Sequence, residues 1–260
     1  MPEGHTIHRA ARDQRPMLVG KPLAVSSPQG RFEAGAAQLD GRTCTAIEAF
    51  GKHLIYRFGP DQALHIHLGL YGRFRAAKTP AGEPRGAVRI RLLSPSHVVD
   101  INGPNTCELL DEAELTALTA RIGPDVLRPD ADPEAAWSKI SKSRAPIGQL
   151  LMDQSVIAGI GNIYRTEILW RQNTHPETPG RSLDRAAFDR LWTDAVTLLE
   201  IGVKKNAIVT VDGAAKSRSK YGERVNIFNR PHCPACGSEI RAFEMAARRV
   251  FACEVCQPRE

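Results

Sequence analysis

The stretch CPACGSEIRAFEMAARRVFACEVC, residues 233–256, holds two Cys-x-x-Cys pairs, Cys233 with Cys236 and Cys253 with Cys256, enclosing sixteen residues. Each pair bends the chain into a knuckle that aims two thiolates at one point, and four thiolates suit a single closed, tetrahedral Zn2+ site of structural role. An iron–sulfur cluster is the other chemistry open to the same donors. Between the pairs, residues 239–244 and 249–252 read as two strands of a hairpin, which leaves Arg248 near its tip. A metal-anchored hairpin holds such an arginine rigidly, a disposition suited to phosphate contact or to insertion into a groove. The end of the chain is therefore expected to be a zinc ribbon that presents a cation. Cys44 and Cys107 are left over and are expected to be reduced packing thiols.

Upstream of the ribbon the apolar period is helical back to about residue 130. Phe188, Leu191, Trp192, Ala195, Leu198 and Leu199 share one face of a helix opened near Ser182 or Asp184 and closed at Gly202. Residues 146–155 and 163–172 read as two further helices joined by Ala158-Gly159-Ile160-Gly161-Asn162. The glycines allow positive φ, and Asn162 is placed to cap the second helix. Before about residue 125 the period is two, over residues 43–49, 54–58, 64–68, 87–93 and 98–101, with Gly, Pro and Ser clusters between them. That half reads as an all-β sandwich or barrel. Its helices are confined to residues 6–14 and 112–121, the latter stopped by Gly123-Pro124.

A chain of 260 residues is long enough for one large or two moderate domains that bury their cores without disulfides. No apolar run approaches the ~18–20 residues of a membrane span. Glu3, His5 and His8 stand where a secretory signal would carry an apolar run, so a cytoplasmic protein with reduced thiols is expected. The formal net charge is +6, and residues 203–260 carry eleven Lys and Arg against six Asp and Glu, nearly the whole excess. Such a region suits a polyanionic partner, nucleic acid being the commonest. Residues 203–232, with Lys204, Lys205, Lys216, Arg218, Lys220 and Arg224, show little apolar periodicity and are expected to form a basic connector.

The chain starts Met1-Pro2-Glu3-Gly4. Once Met1 is removed, Pro2 offers a secondary amine that condenses with a sugar anomeric carbon to an iminium, which stays cationic because no N–H is left to lose. An α-amino group titrates near ~7.7–8, so a usable fraction is neutral and nucleophilic without any special perturbation. His65-Ile-His67 leads into Leu70-Tyr71 on a β connection, where spacing alone fits ordinary core residues of a β turn.

With Pro2-Glu3 at its start, Gly51-Lys-His53, Leu70-Tyr-Gly72, Asp153-Gln followed by Ala158-Gly-Ile-Gly-Asn162, and the four-cysteine ribbon, the chain resembles the formamidopyrimidine-DNA glycosylase and endonuclease VIII family over essentially its full length. It looks most similar to the second, actinobacterial endonuclease VIII group of that family. The resemblance implies an α+β multi-domain protein: a β-sandwich catalytic domain with flanking helices over residues 1–125, a helix-two-turns-helix DNA-binding domain over 126–225, and a zinc ribbon over 226–260. It implies that Pro2 attacks the sugar, that Glu3 assists ring opening, and that Lys52 grips phosphate at the lesion and supports strand cleavage. Asn162 and Arg248 match two further phosphate contacts, and Leu70 and Tyr71 match side chains inserted into the duplex void.

The implied activity is that of a bifunctional DNA glycosylase and abasic-site lyase of base-excision repair, cleaving by β,δ-elimination. Its partner would be damaged DNA, in duplex and also in single-stranded or bubble form, met by a monomer at the nucleoid. Thr6 replaces a carboxylate that many members carry. Asn102-Gly-Pro-Asn105 lacks the paired-arginine and phenylalanine motif of the formamidopyrimidine branch, which favours oxidised pyrimidines over oxidised guanine. The rival readings are a non-enzymatic zinc-ribbon DNA-binding protein on the same scaffold and an RNA-binding module. Only the enzyme requires a free Pro2 amine.

Overall fold

Alternating apolar residues in the first half of the chain build two sheets that face each other. A computed structural model describes residues 2–213 and 221–259 and divides into two compact units, Met1–Arg121 and Ile122–Glu260. The first unit runs α1 (Gly4–Leu18), β1 (Lys21–Pro22), β2 (Ala24–Ser26), α2 (Glu33–Leu39), β3 (Thr43–Cys44), β4 (Ala46–Phe50), β5 (His53–Arg57), β6 (Ala63–His67), β7 (Arg73–Lys78), β8 (Val88–Leu93), β9 (His97–Asn102), β10 (Thr106–Leu110) and α3 (Glu112–Ala120). Its antiparallel sheets have the orders β10-β6-β5-β4 and β2-β8-β9-β7. Leu54, Tyr56, Leu64 and Ile66 of one sheet pack in a single core with Ile90, Leu92, Val99 and Ile101 of the other, as period-two burial requires. Ile7, Ala11 and Leu18 of α1 join that core. Arg15 Nε bonds the Ile47 carbonyl at 2.8 Å, and the Tyr56 hydroxyl bonds Gln14 at 2.5 Å, fixing α1 on β4 and β5.

The sandwich matches the period-two reading, with two differences in its strands and one in its helices, α2 being a mostly exposed helix where none was expected. Residues 43–49 are not one strand: β3 pairs with β1 and β4 with β5, the break falling at Thr45, whose N–H bonds the Arg57 carbonyl. β7 and β10 gave no alternating signal, because β7 is an exposed edge strand and β10 is only partly covered. α3 starts at a full capping box, with Asp111 and Glu114 exchanging side-chain and backbone bonds.

The second unit contains α4 (Pro133–Ile140), α5 (Ile147–Leu150), α6 (Asn162–Arg171), α7 (Arg185–Lys205), α8 (Tyr221–Arg224), β11 (Arg241–Met245) and β12 (Arg248–Ala252). The apolar stripe of α7 is buried as expected, in a core with Ile147, Ile160, Tyr164 and Ile168. α7 runs past Gly202 to Lys205 and ends on Asn206 in the left-handed conformation (φ 55°). Asn162 is the first residue of α6 and does not cap it: Gly161 stands at the cap position, and the asparagine side chain is bonded elsewhere. Residues 203–232 are more than a basic connector, since Ile208, Val209, Val225 and Ile227 are buried. Lys216, Arg218 and Lys220 lie outside the described residues.

Candidate nucleic-acid and metal sites

Pro2 and Glu3 lead directly into α1, and Glu3 is fully buried, with its carbonyl accepting the Thr6 N–H at 2.9 Å. A carboxylate at the start of a fifteen-residue helix sits where backbone N–H groups and the helix dipole favour negative charge. Burial holds the neighbouring His5 imidazole down at about 4. Lys52 occupies a two-residue turn between β4 and β5, closed by the Phe50–His53 pair. Gly51 at φ 57° takes the first central position, which a II′ hairpin turn reserves for glycine.

The β6–β7 connection is longer but closely folded on itself. The Gly72 N–H bonds the Leu68 carbonyl at 3.1 Å, and a Cβ at Gly72 would stand 2.4 Å from that same oxygen. The five-residue turn pushes its middle outward: Leu70 is 37% and Tyr71 87% exposed. Both are therefore outside the core. Because His53 pairs with His67 across β5 and β6, the turn carrying Lys52 and the turn carrying Leu70 and Tyr71 leave the same end of the sheet. The β9–β10 turn joins them, with the Asn105 N–H on the His67 carbonyl at 2.8 Å.

The same sheet carries a chain of side chains that sequence reasoning did not assemble. Glu108 Oε1 lies 2.9 Å from His65 Nδ1, and His65 Nε2 lies 2.8 Å from His53 Nδ1. A carboxylate only accepts, so His65 Nδ1 carries the proton, His53 Nδ1 donates to His65 Nε2, and His53 Nε2 is left as an acceptor. Burial, followed by His65, His67, Lys52 and Arg121, holds His53 down at about 3. His65 and His67 are lowered as well, chiefly by burial. Only part of the signal was available: His65 and His67 are two apart on a strand and so share a face, whereas Glu108 and His53 reach His65 only through strand pairing.

In the second unit, the turn before α6 is held by Gln154, whose amide accepts from the Gly159 N–H and donates to the Ile160 carbonyl. Gly159 takes φ 92° there. Asn162 is 5% exposed, and its Nδ2 donates to the Arg249 carbonyl at 2.9 Å, so α6 and the hairpin bearing Arg248 meet directly. Arg248 is exposed beside a two-residue turn and has no side-chain partner among the described residues. Glu167, fully buried on α6, accepts from the N–H groups of Asn226, Ile227 and Phe228 and from the Thr210 hydroxyl. That carboxylate fixes the segment entering the ribbon.

Cys233, Cys236, Cys253 and Cys256 place their sulfurs within 4.8 Å of one another, and among the described residues they are the one group of three or more side chains able to hold a metal ion. Two pairs stand at 3.8 and 3.5 Å, near the ~3.8 Å separation that tetrahedral bonds of ~2.3 Å impose. The Gly237 N–H bonds the Cys233 carbonyl and the Gln257 N–H that of Cys253, closing both knuckles. Donor set and geometry fit a metal ion. Cys44 and Cys107 are apart from this group, and burial pushes both thiols up to about 12, where they are inert.

Sequence models of the formamidopyrimidine-DNA glycosylase N-terminal domain and H2TH domain match residues 1–105 and 122–212. The chain is 43% identical to Endonuclease 8 1 of Mycobacterium tuberculosis over 267 residues, covering 99% of this chain and 100% of that protein. It is 32% identical to Endonuclease 8 of Escherichia coli, with 99% and 100% covered. Among solved structures, Lactococcus lactis Fpg (MutM) bound to DNA containing N7-benzyl-Fapy-dG is similar with a TM-score of 0.82 at 26% identity, over 99% of this chain and 100% of that one. The same enzyme bound to DNA with an abasic site gives 0.82 at 25%. Among the described residues no helix is long and apolar enough to cross a membrane. A sandwich entered through a buried Glu3, a glycine-hinged helix turn and a four-cysteine ribbon, matched in order along the whole chain, place this protein in the formamidopyrimidine-DNA glycosylase and endonuclease VIII family.

Proposed function

We propose that this chain is a bifunctional DNA glycosylase and abasic-site lyase of base-excision repair that removes oxidised bases, pyrimidines favoured, through the amine of Pro2. The reading rests on full-length relatives named as endonucleases and glycosylases, which leaves a catalytically silent DNA-binding scaffold unfavoured. The observation that carries the mechanism is the buried Glu3 carboxylate directly beside Pro2. With Met1 removed, the Pro2 nitrogen attacks the anomeric carbon, the base leaves with a proton, and Glu3 assists opening of the sugar ring. The resulting iminium draws electrons from the adjacent C–H bond. Loss of that proton expels the 3′ phosphate, and loss of a second proton, from C4′ of the conjugated iminium so formed, expels the 5′ phosphate, leaving a one-nucleotide gap.

Lys52, on its glycine-fixed turn, supplies charge to the phosphate at the lesion. Leu70 and Tyr71 fill the space the extruded nucleotide vacates, which suits the exposure of both. Asn162 and Arg248 hold flanking phosphates. The β9–β10 turn carries Gly103, Pro104 and Asn105 and so brings no arginine or aromatic side chain to an orphan base, which supports oxidised pyrimidines as substrates. The four cysteines hold one Zn2+, which supplies a structural cross-link and takes no part in the chemistry. The protein acts as a monomer on duplex, single-stranded or bubble DNA, at the nucleoid in the cytoplasm.

Borohydride trapping on duplex DNA with an abasic site tests the nucleophile. The native protein is expected to cross-link, Pro2→Gly to do so at least tenfold more slowly, and a form retaining Met1 not at all. Equal cross-linking by all three overturns the proline mechanism.

A further inference from the structure

The buried guanidinium of Arg165 has no part in the readings above. It is three residues beyond Asn162 on α6, so the two side chains share a face of the helix. Arg165 has no solvent exposure. Its Nη2 donates to Asn162 Oδ1, and its Nη1 donates to the carbonyls of Gly148 at 3.1 Å and Met245 at 3.5 Å. Met245 and Arg249 lie on the two strands of the hairpin, on either side of its turn. One arginine therefore touches both the asparagine and the backbone beside Arg248.

The chemistry of the two partners fixes the amide. A guanidinium only donates and a carbonyl only accepts, so Asn162 must turn Oδ1 to Arg165 and Nδ2 to Arg249. Flipping it would set donor against donor and acceptor against acceptor. This leaves the second hydrogen of Nδ2 without a partner among the described residues, pointing in a single determined direction. Without Arg165, Oδ1 loses its donor, and the amide torsion is broad and roughly two-fold.

We propose that Arg165 is a positioning residue that locks the Asn162 amide and the hairpin tip in register, so that Asn162 Nδ2 and Arg248 act as one phosphate-binding unit. This rests on the reading of Asn162 and Arg248 as phosphate contacts. A purely structural arginine would anchor the hairpin equally well whether or not Asn162 were present.

The test is a double-mutant cycle on the full-length, zinc-loaded protein, measuring affinity for duplex DNA with a stable abasic-site analogue. Asn162→Ala and Arg165→Lys are each expected to weaken binding about tenfold, the size of one lost hydrogen bond to a charged group. In the Asn162→Ala background Arg165→Lys is expected to add less than twofold. Additive effects overturn the inference while leaving the phosphate reading of Asn162 intact. An Asn162→Ala variant that binds like the native protein overturns that reading and this inference with it. A second measurement needs no DNA: the Asn162 side-chain amide protons, followed by NMR, are expected to lose exchange protection in Arg165→Lys. Unchanged protection in a folded, zinc-loaded variant also overturns the inference.

Discussion

At the scale of single residues, the first unit stores neutral imidazoles beside a cation. His53 is held at about 3 by burial first and then by neighbouring charges, and His5 at about 4 by burial. Both values lie below the ~6.5 of an unfolded histidine, so the unfolded state binds more protons as pH falls from ~6.5 toward 3. Stability is therefore complete above ~6.5 and is lost progressively below it. His53→Gln is expected to flatten the fall in melting temperature between pH 6.5 and 4 by calorimetry, because the glutamine amide can still donate to His65 without titrating. A slope equal to that of the native protein would falsify the burial argument. The cysteines were legible without a structure because ligand spacing is a local property. The Glu108–His65–His53 chain was not, since Glu108 reaches His65 only through strand pairing across 43 positions of sequence.

At the scale of elements, the hairpin that presents Arg248 was legible in position and obscure in its strain. Its turn consists of Ala246 and Ala247, both in the left-handed conformation at φ 52° and 54°. A two-residue turn with both residues left-handed favours Asn-Gly, and an L-residue with a Cβ costs roughly 1–2 kcal/mol there. The Asn162–Arg249 and Arg165–Met245 bonds brace the strands on either side. Replacing the pair by Asn-Gly should raise the melting temperature by ~2–4 °C, corresponding to about 1 kcal/mol regained. An unchanged or lower value in differential scanning calorimetry would mean that the turn carries no strain. Elsewhere, α7 and the strands of the sandwich core were readable because their apolar faces are complete, whereas α2 and β7 are mostly exposed and leave little periodic trace. The N-terminal position of Asn162 in α6 was recognisable, but its side-chain partners lie on β12 and one turn further along the helix.

At the scale of the whole molecule, chemistry and grip are expected to respond differently to the metal. The ribbon has a small core of its own, in which Cys233 and Cys253 pack with Ile227, Ile240 and Phe251 and against Trp170 of α6. Gln257, fully buried, accepts the Cys253 N–H and donates to the Thr174 carbonyl beyond α6, and Glu167 ties α6 to Ile227 and Phe228. A metal ion held by the four cysteines would thus be the cross-link that shapes the support of both Asn162 and Arg248. Pro2 and Glu3 stand at the start of α1, whose core residues belong to the sandwich and share none with the ribbon. Cys253→Ser is therefore expected to lose zinc and at least tenfold in DNA affinity together, since metal binding and ribbon folding are one equilibrium. At saturating protein the same variant should still form the borohydride-trapped adduct, because the proposed nucleophile Pro2 and the proposed acid Glu3 lie in the other unit. Zinc content by atomic absorption, affinity by anisotropy titration and trapping by gel separate these outcomes. Native affinity in zinc-free protein would show that the hairpin holds Arg248 without its metal.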